Sequence, residues 1–140
     1  MDIYKTLLTA LGLIGSLIAG MFGGWTMSLS TLCAFMAIDY FTALIVAGVF
    51  HKSPKTENGV LESNACFKGL LRKGAVLAIV FIAHRLDLEM GFNYLRDGVC
   101  IAFMANETIS IIENIGLMGI TVPDAIVNAI EILKKRSEEE

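Results

Sequence analysis

From Thr6 to Phe50 the chain is apolar almost without a break, and its 45 residues carry a single charged side chain, Asp39. At about 1.5 Å per residue, one helix of that length would be more than twice the roughly 30 Å of a bilayer's hydrocarbon core, so the run must reverse. The reversal is predicted at Gly23-Gly24-Trp25-Thr26-Met27-Ser28, where adjacent glycines weaken the helix, the hydroxyls offer caps and Trp25 suits a membrane interface. This places one span over about residues 6–24 and a second over about 28–50.

The pattern then turns polar over residues 51–73, with breaks at Ser53-Pro54 and Asn58-Gly59, which predicts a loop. A third apolar segment, about 74–94, runs cleanly from Ala75 to Ala83 before His84, Arg85, Asp87 and Glu89 interrupt it. A fourth, about 98–119, carries Glu107 near its middle and Glu113 towards its end. A central acid costs roughly 2.5–3.5 kcal/mol on insertion and each Leu or Ile returns roughly 0.3–0.6 kcal/mol, so both of these segments need partners to enter lipid. Thr121-Val122-Pro123-Asp124 reads as a helix start, with a cap, a proline in the first turn and an acid at the third helical position. Beyond it Ile126, Ala129, Ile130 and Leu133 share one face, while Asn128, Glu131, Lys134 and Lys135 lie elsewhere. The fold class expected is an all-α integral membrane protein. It has a transmembrane domain over residues 1–120, with three to four transmembrane helices and four favoured, and an amphipathic, charged C-terminal helix over 121–140.

Composition sharpens that picture. Hydrophobic residues make up 55% of the chain and charged residues 18%, against about a quarter in a soluble domain; mean hydropathy is +0.66. The net charge of -3 conceals a separation, because Lys52, Lys55, Lys68, Arg72 and Lys73 face only Glu57 and Glu62 within 51–73. The positive-inside rule makes this segment a cytoplasmic basic loop and the N-terminus cytoplasmic as well. Four spans return Lys134, Lys135 and Arg136 to the cytoplasm, whereas three would export them. No cleavable signal is expected, since the first apolar run is span-length and continues into a second. Cys33, Cys66 and Cys100 lack metal-ligand spacing and read as reduced packing residues.

Candidate functional residues fall into four groups, one in each apolar segment. In the first span Gly12, Ser16, Gly20 and Gly24 recur every four residues beside a second row of Gly15, Ala19 and Gly23, a flat face on which helices approach closely. That face serves either self-association between subunits or packing of the first span on the second. In the second span Asp39 and Thr42 lie on a face with Ser28, Thr31, Phe35 and Val46, so Asp39 meets protein or water rather than lipid. It lines an aqueous path, makes an interhelical contact, or pairs with Arg85 or His84 inside one subunit. His84 with Asp87, and Arg85 with Glu89, are helical neighbours able to neutralise one another. In the fourth segment Asn106, Glu107, Ser110, Glu113 and Asn114 fall within an arc of about 120°. Such a seam is met by other polar faces or by a water-filled hole, unless the segment is instead a soluble amphipathic helix. No metal-binding, cofactor-binding or catalytic motif accompanies these groups. The expectation is a non-enzymatic protein whose partners are itself and the lipid bilayer, with no nucleic acid. The rivals to a pore are a small ion or metabolite channel or transporter, and a passive membrane scaffold.

The chain also resembles the phage lysis and toxin-secretion holins. The residues that carry the resemblance are Asp39-Tyr40-Phe41-Thr42, Ser63 with Phe67-Lys68-Gly69-Leu70 and Arg72-Lys73, and Ala83-His84 with Leu86-Asp87. It continues through Arg96-Asp97, Ala105-Asn106-Glu107, Ser110-Ile111, Glu113-Asn114, Gly119-Ile120 and Val122-Pro123. It covers about Leu29 to Leu133 and departs from the family pattern at Ala43 and Cys66, both small-for-small changes. Some holins start at two nearby methionines to make a longer inhibitor; after Met1 the next methionine here is Met21, inside the first span. The resemblance implies a protein of the bacterial cytoplasmic membrane that accumulates, oligomerises and opens lesions. Through them an endolysin or a folded protein such as a toxin would pass, without necessarily touching it, and the cell would lyse.

Overall fold

The computed structural model describes residues 2–139, and all regular secondary structure among them is helical. Five helices follow in order: α1 (Ile3–Met21), α2 (Met27–Gly48), α3 (Ser63–Met90), α4 (Leu95–Leu117) and α5 (Asp124–Glu139). Helices α1, α2 and α4 are long and apolar enough to cross a membrane. The protein is an all-α membrane protein.

The reversal between α1 and α2 occupies Phe22–Thr26, and it is stabilised by local chemistry. Gly23 and Gly24 take left-handed φ values of 87° and 92°, a region open to glycine without steric cost. Thr26 caps α2 by accepting from the Leu29 N–H at 3.3 Å. At Gly23 there is no room for a side chain, because a Cβ would run into the Arg96 guanidinium and the His84 ring.

Helices α2, α3 and α4 form the bundle. Leu29, Leu32 and Met36 of α2 pack with Cys100 of α4 and Val80 of α3, and Phe22, Leu77 and Phe103 close the edges. Further along, Asp39 meets Asn114, so residue numbers rise together and α2 and α4 run in the same direction. Helix α3 runs against both: its beginning lies at Tyr40, whose hydroxyl donates to the Cys66 carbonyl, and its end lies at the start of α4. In lipid these apolar contacts gain dispersion rather than relief from water, so close fit between helices carries the stability.

Two expectations are corrected here. The basic segment 51–73 is not one loop, because α3 begins at Ser63 and takes Lys68, Arg72 and Lys73 into its first turns. At 28 residues α3 is about 42 Å long, more than a bilayer core requires. Its charged first turns therefore overhang the apolar part, and only Lys52 and Lys55 stay in the loop. The start of α5 also falls later, since the helix opens at Asp124 with the Pro123 carbonyl as its first acceptor.

Helix α1 does not lie along α2. Only Ala19 is buried on it, and a Cβ built at Gly12, Gly15, Gly20 or Gly24 would touch nothing. Ser16 is exposed with them. Packing of the small-residue face within the chain is confined to its end, where Ala19 is buried and Gly23 meets His84 and Arg96.

Helix α5 turns its apolar side towards α4. Ile130 is buried, and it borders a shallow cavity with Val127, Ile109 and Ile112. The side chains of Leu133, Lys134 and Arg136, which complete the expected tail pattern, lie outside the described residues.

Candidate functional site

Half-way along α2 and α4, three charged side chains converge. The Lys73 ammonium donates to Asp39 Oδ2 at 2.7 Å and to Glu107 Oε2 at 2.8 Å. The side chains are 15%, 7% and 11% exposed respectively, so the junction is nearly sealed inside the bundle. Each helix contributes one member because each carries one charged residue on its inward face at that level. The short distances mark charge-assisted bonds, the strong kind.

Neutral groups complete the network. Asn114 Nδ2 donates to Asp39 Oδ1 at 3.1 Å, to the Asp39 carbonyl at 3.3 Å and to Thr42 Oγ1 at 2.9 Å. The Thr42 hydroxyl in turn donates to the Ile38 carbonyl at 2.8 Å. Asn114 and Glu107, seven residues apart, thus face α2 and α3 together. Ser110 and the exposed Asn106 border a cavity of about 180 Å³ beside the junction. Glu113 sits on the flank that faces α5, beside Ile130, so the predicted polar seam of α4 divides into a buried half and an outer half.

The partner of Asp39 is a correction. It is Lys73, and neither His84 nor Arg85 reaches it. Those two lie at the other end of α3, with His84 against the Gly23 turn and Arg85 4.0 Å from Glu89 in an exposed pair worth little. Asp87 does not pair with His84 either: its two oxygens accept from the Leu95 and Arg96 N–H groups at 3.0 and 2.9 Å. It thereby satisfies orphan donors at the start of α4, where a negative charge also complements the helix dipole. Arg96 extends this end by donating from Nη1 to the Phe22 carbonyl at 3.0 Å and pairing with Asp97.

Asp87→Ala should lower bundle stability, because it removes both acceptors from the start of α4. Asp87→Asn, which keeps one acceptor, should lose less. Unfolding midpoints in an SDS titration check both.

Lys73 and Arg96 were the functional residues least accessible to sequence reasoning. For Lys73 a signal existed: two acids in apolar helices demand a cation, and Lys73 sits just before the apolar run of α3 as His84 and Arg85 sit just after it. For Arg96, whose contact reaches back 74 residues, there was none beyond its position in the resemblance.

Fold and site together define a small helical membrane protein built around a buried charge network. The profile of the bacteriophage holin family matches residues 16–135, and the chain belongs to that family. Among its relatives, the uncharacterised protein Lmo0128 of Listeria monocytogenes is 36% identical over 127 residues, covering 90% of this chain and 85% of the relative. The uncharacterised protein CPE0383 of Clostridium perfringens is 31% identical, covering 89% and 87%. An uncharacterised 14.9 kDa protein in the nagH 3' region of the same species is 31% identical, covering 88% and 89%. No solved structure matches the chain.

Proposed function

We propose that this protein acts as a holin of the bacterial cytoplasmic membrane, accumulating as compact subunits that oligomerise and then open lesions. An endolysin or a folded protein such as a toxin crosses through them. The observation that carries the reading is the Lys73 junction: one cation between two carboxylates at mid-helix leaves one negative charge in excess. A buried ion cluster is weakly stabilising because desolvation offsets the attraction. A net-charged one favours any rearrangement that admits water, so the bundle has a closed state in lipid and a reason to leave it.

Topology supports the same reading. With α2 and α4 running in the same direction, α3 must be the return leg if both cross the membrane, although its charges make it a poor span by itself. With α1 crossing as well there are four spans, and both termini share the cytoplasmic side with the basic residues of 51–73. The part of the small-residue face at Gly12, Gly15 and Gly20, where a Cβ would touch nothing, is then available to neighbouring subunits.

Induced expression in a bacterium carrying a folded cytoplasmic reporter enzyme tests the proposal. The expected result is abrupt growth arrest with release of active reporter. Leakage of ions alone would point to a channel, and neither effect to a scaffold; both would overturn it.

A further inference from the structure

We infer that the cavity beside the Lys73 junction binds the phosphate headgroup of an anionic phospholipid. Lys55, from the loop before α3, and Arg72 line this cavity of about 180 Å³ with Asn106, and all three are exposed, so they form its rim. Asp39, Glu107 and Lys73 form its floor. Among the described residues neither Lys55 nor Arg72 makes an ion pair.

Charge selects the ligand. The floor is one charge negative and the rim adds two positive charges, so the five charged groups leave a single positive charge over. One phosphodiester monoanion cancels it, and a site bordering hydrocarbon favours neutrality over either sign. A basic pocket between spans on the cytoplasmic side is also the usual setting for an acidic headgroup.

Shape selects the source of the phosphate. Arg72, Ile79 and Leu86 are seven residues apart and therefore lie on one stripe of α3. Ile79 is 46% exposed and Leu86 43%. The stripe leads from the cationic rim along the apolar part of the helix and gives an acyl chain a track that begins where the phosphate sits. Free phosphate would leave that track bare.

The inference rests on the chain being embedded in a membrane, not on lesion formation, so it is tested without any lysis. Native mass spectrometry of the full chain in detergent, titrated with phosphatidylglycerol, should find one lipid held per chain. Affinity should fall about fivefold in Lys55→Gln or Arg72→Gln and about 25-fold in the double variant. Lys68→Gln, on the same helix but outside the cavity, should bind as the parent does. Equal retention of phosphatidylcholine would overturn the inference, as would an equal loss in Lys68→Gln. Displacement of the lipid by millimolar inorganic phosphate would overturn it too, by making free phosphate the ligand.

Discussion

Lys73→Met should destabilise the bundle by about 3–5 kcal/mol, the range found when one partner is removed from a buried ion pair. Methionine fills much of the lysine's volume, so the loss is electrostatic rather than steric. Asp39 and Glu107, which share the ammonium at 2.7 and 2.8 Å, are left as two carboxylates within one nearly sealed space. SDS unfolding of the purified variant should show the loss directly, and accumulation in cells should fall with it. Charge count gives the control. In the triple variant Lys73→Met, Asp39→Asn, Glu107→Gln no charge remains, and most of the stability should return. A single Lys73→Met variant as stable as the parent would mean that the junction is open to water and is not a lock.

How much of this was visible in the sequence depended on the range of the interaction involved. Local signals sufficed for the helical class and for the Gly23-Gly24 turn, because glycine conformation, capping hydroxyls and apolar run length all act within a few residues. They did not suffice for Lys73. Hydropathy registers where a chain enters lipid, not where a helix begins, and α3 starts 11 residues before its apolar part. The charged overhang therefore read as loop. Burial of the overhang's last lysine depends on α2 and α4 presenting acids at the same level, which is a tertiary fact. Asp87 shows the same limit. Its place beside His84 suggested a helical pair, but the α3–α4 turn brings two unsatisfied N–H groups nearer to its oxygens. The glycines of α1 are legible as a small-residue pattern, but their spacing names no partner, and a Cβ at Gly12, Gly15 or Gly20 would meet nothing in the chain.

The sign of the excess charge leads to a second large effect, this time on timing. Asp39→Asn should delay lysis rather than hasten it. The amide introduced there still presents an oxygen to Asn114 Nδ2, which now bonds Oδ1 at 3.1 Å, while Lys73 and Glu107 remain as a neutral pair. The closed bundle then loses its net charge, and with it the desolvation penalty of an uncompensated charge in a nearly sealed space. Glu107→Gln should act in the same direction, since it leaves Lys73 paired with Asp39. The double variant Asp39→Asn, Glu107→Gln reverses the trend by stranding the lysine, and it should be as damaged as Lys73→Met. Onset of reporter release at matched expression distinguishes these outcomes. Two delayed single variants and one crippled double variant are a pattern that charge balance produces and simple loss of packing does not. If either single neutralisation advanced the onset, excess negative charge would not be what drives the closed state towards water.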